Sequence, residues 1–203
     1  EAHNNMGIAL SDNGELEAAL NSYKQALKIK PDYAEAYNNM GTSLADNGDL
    51  EACIGSYKQA LKIQPHYASA YYNLGLALKE KGDLGSAIEN YKQALKIKPN
   101  YPEIYNDMGL ALKDYGDSEA AIESYKQALK IKPDYADARS NYITLLTTYI
   151  PKNDSLNKIF KLNASIRKID IRNIASTIIS DDQAVKIFSK SSGYLTSSNF
   201  QPR

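Results

Sequence analysis

The residues that could do chemistry are few and poorly placed for it. Cys53 is the only cysteine, and His3 and His66 the only histidines, among 203 residues, so neither a disulfide framework nor a Cys-based zinc cluster can be assembled. Cys53 occupies the position held elsewhere by Ala19, Ala87 and Ala121. That marks it as a small buried side chain rather than a reactive thiol, with no His or helix start beside it to activate the sulfur. His3 stands where Tyr37 and Tyr71 stand, and His66 sits in a loop held elsewhere by Asp32, Asn100 and Asp134. Neither has a second ligand at metal spacing. Asp46-Asn47-Gly48-Asp49 looks superficially like a calcium loop, but the alternating acidic ligands and the terminal Glu are missing, so it reads as a turn. There is no glycine-rich phosphate loop and no Ser/His/Asp or Cys/His set. The expectation is a protein that is not an enzyme, with no catalytic residue, no metal and no cofactor.

Composition narrows the class further. Lys+Arg and Asp+Glu are both 24, for a formal net charge of zero, which disfavours nucleic acid as a partner. Hydrophobic residues make up 43% and charged residues 24%, the proportions of a folded globular chain. No run approaches the roughly 18 apolar residues of a membrane helix and no signal peptide is visible. No membrane partner is expected, and the cytoplasm is the default location. Aromatic residues are almost all tyrosine, 16 against 3 Phe and no Trp. One residue type used that often points to one structural slot filled repeatedly.

The elements that position these residues follow from a repeat. Pro31, Pro65, Pro99 and Pro133 lie 34 residues apart, each preceded by Tyr-Lys-Gln-Ala-Leu-Lys-Ile-(Lys/Gln). Each unit holds two helical segments split by Asn13-Gly14, Asn47-Gly48, Lys81-Gly82 or Tyr115-Gly116, where glycine can take the left-handed conformation that ends a helix. Asn-Gly also suits a hairpin. The stripe of Ala19, Tyr23, Ala26 and Leu27, at i, i+4, i+7 and i+8, decides for helix. Proline then stops the second helix, because it lacks an amide hydrogen and restricts the residue before it. Small residues at Gly7, Gly41, Gly75 and Gly109, and at Ala26, Ala60, Ala94 and Ala128, allow close helix approach, with Tyr23, Tyr57, Tyr91 and Tyr125 filling the space between.

In the unit from Ala34 to Tyr67, Tyr37, Met40-Gly41, Leu44, Cys53, Tyr57, Ala60 and Pro65 resemble the tetratricopeptide repeat (TPR), whose period is 34 residues. The same frame places units at 1–33, 34–67, 68–101 and 102–135, with a partial fifth helix at 136–150. The resemblance implies an all-α fold, a right-handed solenoid of antiparallel helix pairs, in which each unit buries its apolar stripe only against its neighbours.

It also implies which face works. In the TPR family the first helix of each unit lines the inner curve. Its groove-facing slots correspond here to Glu1, Asn4, Asn5, Ile8, Ser11 and Asp12, and to their equivalents in later units. Those slots hold nine carboxylates against two lysines, an acidic groove. Asn5, Asn39, Asn73 and Asn141 share one slot, with Asp107 interrupting the series. The row is similar to that of the TPR superhelix in O-linked N-acetylglucosamine transferases and implies gripping of an extended backbone by carboxamides, which both donate and accept. The bland alternative is a row of solvated polar residues on an exposed helix face. The expected partner-binding set is Asn5, Asn38, Asn39, Tyr72, Asn73, Leu76, Glu80, Asn106, Asp107, Leu110, Asp114 and Asn141, with Glu35, Asp46 and Glu103 adding acid that selects basic side chains. The Lys/Arg clamp by which some TPR proteins hold acidic tails is absent. The expected partner is therefore a neutral or basic protein or peptide.

Second helices carry the opposite sign. Lys24/Lys28, Lys58/Lys62, Lys92/Lys96 and Lys126/Lys130, joined by Lys30, Lys98 and Lys132, form a stripe that reads as a solvated outer face suited to helix C-terminal ends.

After Pro151 the period stops. Residues 1–150 carry 15 Lys+Arg and 20 Asp+Glu, net −5, and residues 151–203 carry 9 and 4, net +5. Helical periodicity recurs near 154–169 and 181–190. The expectation is a basic helical extension or linker that caps the array or occupies its acidic groove, with self-association through the tail or the array ends as a corollary. The chain also begins inside a repeat, which suggests a piece of something longer. The leading expectation is a non-enzymatic protein-interaction scaffold. The alternative is the substrate-recruiting arm of a larger enzyme, of glycosyltransferase or sulfotransferase kind, whose catalytic domain lies outside this chain.

Overall fold

The computed structural model of the protein describes residues 1–149. The expected 151–203 extension, its two helices and the boundary before it lie outside the described residues. Among those described there are only helices: α1 Ala2–Asp12, α2 Leu16–Ile29, α3 Ala34–Asp46, α4 Leu50–Ile63, α5 Ala68–Glu80, α6 Leu84–Ile97, α7 Pro102–Tyr115, α8 Ser118–Ile131 and α9 Ala136–Tyr149. This is the all-α TPR solenoid that the period predicts. The chain divides into two compact units, Glu1–Ala121 and a second beginning at Ile122, within α8.

Each turn between paired helices is built the same way. At the first, Gly14 takes φ 79°, its amide donates to Ser11 O and the following Glu15 amide to Leu10 O. This pair of bonds satisfies carbonyls that the helix end would otherwise leave open. Gly48, Gly82 and Gly116 repeat it. The next residue then starts the second helix. Asp49, Asp83 and Asp117 each accept from the amide three residues on, at 3.1, 3.1 and 3.0 Å, the usual way of satisfying a free helix N-terminus. Glu15 fills the same slot in the first unit without a side-chain cap.

The tyrosine slot is the core. Tyr23, Tyr57, Tyr91 and Tyr125 are all at most 3% exposed, and the alanines around them are equally buried. A Cβ built on Gly7, Gly41 or Gly75 would fall 2.5, 2.6 or 2.6 Å from Cε1 of Tyr23, Tyr57 or Tyr91. Glycine in mid-helix is therefore needed for the ring of the partner helix to lie against its backbone. Dense packing of this kind leaves no room for one extra carbon.

Within Glu1–Ala121 the helices pair as α1 with α2, α3 with α4 and α5 with α6, and each second helix also packs on the first helix of the next pair. First helices in addition touch one another in sequence, α1 to α3, α3 to α5 and α5 to α7. The first helices thus form the inner row.

Candidate inner-face binding site

The expected site residues recur at intervals of three, one, three, three and one along each first helix, a spacing that keeps them on one face. Not all of them meet solvent. The fifth position of the unit is buried where it holds asparagine: Asn4 and Asn38, in the seams between α1 and α3 and between α3 and α5, are 3% and 6% exposed, and Asn106 on α7 is 5% exposed. The sixth position lies beside it, half-buried at Asn39, Asn73, Asp107 and Asn141 and exposed at Asn5.

Those two positions join across each seam. Asn39 Nδ2 donates to Asn4 Oδ1 at 3.2 Å, and Asn73 Nδ2 donates to Asn38 Oδ1 at 3.1 Å. A buried carboxamide left unpaired would cost about 1–3 kcal/mol, so these bonds hold neighbouring units in register as well as satisfying the amides. Within one helix, Asn38 Nδ2 makes a long 3.5 Å contact with Asn39 Oδ1. Each of Asn39 and Asn73 therefore commits part of its hydrogen-bonding capacity to the array.

The third seam differs. Tyr72 replaces asparagine at the fifth position and Asp107 at the sixth, and the Tyr72 hydroxyl donates to Asp107 Oδ2 at 2.6 Å. Asn106 Nδ2 approaches Asp107 Oδ1 at 3.4 Å. The Tyr72 ring neighbours those of Tyr91, centroids 6.0 Å apart, and Tyr101, 6.5 Å apart, both tilted. Leu76 and Leu110 are half-buried on the same helices.

Leu76 has a second effect. In the second unit Tyr57 Oη donates to Thr42 Oγ1 at 3.4 Å. Leu76 takes the place of Thr42 in the third unit, and Tyr91 Oη is buried without a hydrogen-bond partner. Burial raises the Tyr57 phenol to about 12. Burial, and then the charge of Asp107, raises Tyr91 further.

Glu1, Asp12, Glu35, Asp46, Glu80 and Asp114 are exposed and Glu103 is half-buried. Lys113 spends its charge on Asp114 at 3.5 Å. Asn141 lies on α9, in the second compact unit. Asn5 on α1 makes no side-chain hydrogen bond and stands apart from the seam bonds that gather Asn38, Asn39, Tyr72, Asn73 and Asp107.

Asn4, given above as a groove-facing slot, is a buried seam residue, and Tyr91 and Tyr101, outside the expected binding set, neighbour Tyr72. Asn4 was visible as the equivalent of Asn38. Tyr91 was hidden by its membership of the core, and the exchange of Thr42 for Leu76 was its signal.

Cys53 is fully buried, its thiol donates to Leu50 O at 3.2 Å, and burial pushes its pKa up. Among the described residues no cluster of three or more His, Cys, Asp or Glu could hold a metal, and no helix is long and apolar enough to cross a membrane. Lys30, Lys98 and Lys132 on the outer stripe are exposed and each sits near a tyrosine ring, 4.9, 6.0 and 5.1 Å from the centroids of Tyr33, Tyr101 and Tyr135.

A solenoid of 34-residue helix pairs, with its inner row of first helices exposing amides and acids, defines a protein-interaction scaffold. The chain belongs to the tetratricopeptide-repeat family: TPR repeat models match residues 7–48, 41–82 and 75–116, and a tetratricopeptide repeat model matches 102–135. Among solved structures, MamA is 27% identical with a TM-score of 0.68, over 80% of this chain and 95% of that one. MamA 41-end from Desulfovibrio magneticus RS-1 is 19% identical, TM-score 0.69, over 82% and 94%. YrrB, described as a TPR protein with an unusual peptide-binding site, is 20% identical, TM-score 0.66, over 93% and 90%. At those two identities the likeness is one of fold. No curated protein matches the chain significantly.

Proposed function

We propose that the chain is a non-enzymatic scaffold whose inner face, along α1, α3, α5 and α7, holds a neutral or basic peptide segment of a protein partner. The observation that carries this reading is the pairing of exposed acids with half-committed amides on one helix row. Asn39 and Asn73 keep one N–H and carbonyl capacity for a backbone. Glu35, Asp46, Glu80 and Asp114 favour positive side chains and repel acidic ones.

A displayed library of linear peptides, selected on the protein, tests it. The readout variants are Glu35→Gln, Asp46→Asn and Glu80→Gln, because these side chains are exposed. Asn39→Ala and Asn73→Ala also break the bonds to Asn4 and Asn38 and need a melting control. Selected peptides should be basic, should weaken about tenfold on the triple acid variant, and should lose affinity with salt. Peptides that bind the triple variant unchanged, or respond only to Lys58 and Lys62 on α4, overturn the reading.

A further inference from the structure

We propose that the third seam is a subsite for an ammonium group, the lysine side chain of a protein partner, seated between Asp107 and the tyrosines around it. The inference rests on the groove reading above and assigns that groove its most selective point.

The repeat itself singles out the place. Two seams carry neutral Asn–Asn bonds, Asn39 to Asn4 and Asn73 to Asn38, whereas the third carries a tyrosine and a carboxylate. Asp107 is half-buried, where a charge is screened less than at the surface. Among the described residues no lysine or arginine pairs with it. Its Oδ2 receives the short bond from Tyr72, and its Oδ1 has only the 3.4 Å approach of Asn106. One acceptor oxygen is thus available, on the carboxylate bonded to Tyr72, whose ring in turn packs near those of Tyr91 and Tyr101. A second, independent feature lies at the same seam. The Tyr91 side chain is 0% exposed, its hydroxyl has no partner, and the Asp107 charge reaches it.

The geometry selects among cations. A guanidinium binds best through both carboxylate oxygens, and here Tyr72 already occupies one. An ammonium needs a single acceptor and gains from aromatic faces. Tyr101 already has one such neighbour, the Lys98 ammonium at 6.0 Å. The chain's own groove lysines do not fill the seat. Lys113 is drawn to Asp114, and Lys79 lies seven residues beyond Tyr72, about 10 Å along the helix.

The test is a titration of the isotope-labelled chain with n-butylammonium chloride, followed by amide chemical shifts, with n-butylguanidinium chloride and n-butanol at matched ionic strength. Shifts should concentrate around residues 72, 101 and 107, saturate at a several-fold lower concentration for ammonium than for guanidinium, and be absent with butanol. Asp107→Asn, which restores the residue type of the other seams, should abolish them without lowering the melting temperature. Tyr72→Phe keeps the ring but frees Oδ2, and should move the preference toward guanidinium. Absent shifts, shifts spread evenly over Glu35, Asp46 and Glu80, or shifts that survive Asp107→Asn overturn the proposal. Because no peptide is involved, a failure here alongside successful peptide selection removes the subsite alone, and the converse removes the groove reading.

Discussion

The ring of Tyr57 lies so close to the backbone of Gly41 that a Cβ there would meet Cε1 at 2.6 Å. Gly41→Ala should therefore destabilise the array by about 1–3 kcal/mol, although alanine is the better helix former. Gly55 lies in α4 with nothing within 4 Å of its would-be Cβ. Gly55→Ala should stabilise by up to about 1 kcal/mol. Urea denaturation of both variants checks the pair, and equal signs would contradict the packing account.

The helix caps offer a gain as well as a loss. Asp49 accepts from the Ala52 amide, and Asp49→Ala should cost about 1 kcal/mol. Glu15 has one methylene too many to cap α2. Glu15→Asp should recover a similar amount, about 0.5–1 kcal/mol, seen as a raised melting temperature.

Two equivalent hydroxyls should respond differently to removal. Tyr57→Phe loses the bond to Thr42 and should cost about 0.5–1.5 kcal/mol. Tyr91→Phe removes a buried hydroxyl without a partner and should be neutral or stabilising. Leu76→Thr should remove the difference by giving the Tyr91 hydroxyl a partner, and Leu76→Thr, Tyr91→Phe and the combined variant close a double-mutant cycle.

Alkali should weaken the fold before it attacks the backbone. Tyr57 titrates near its ordinary value of 10.0 when unfolded and at about 12 when folded. A raised folded value means that the native chain holds the proton more tightly. The stability involved is thus complete below about pH 10 and is lost as pH rises toward about 12. The urea midpoint should fall across that window, and Tyr57→Phe should flatten the fall.

What the sequence makes legible is whatever the period repeats. The prolines, the Gly14-type turns and the buried tyrosines are each written four times, and each obeys a local rule of backbone or packing. Cys53 reads correctly as one more small core residue for the same reason. The inner face is legible only in part. Spacing puts Asn38 and Asn39 on one face, but only packing shows that the first sinks into the seam while the second bridges back to Asn4. Which partner an amide chooses depends on a residue some 35 positions away, and no local pattern encodes that choice. The third seam is the opposite case. Tyr72 and Asp107 are visible as departures from the repeat, yet nothing in the sequence says that they bond to each other.

Along the inner row each first helix touches the next lightly, and one or two side-chain bonds cross each seam. Mechanically, residues 1–121 amount to plates in a leaf spring. Small slips at successive seams add up to a change of pitch along the inner row, at little cost to any one hydrophobic contact. A bound segment somewhat longer or shorter than the resting spacing is then met by elastic compliance, with its strain shared among seams and no single helix pair forced open.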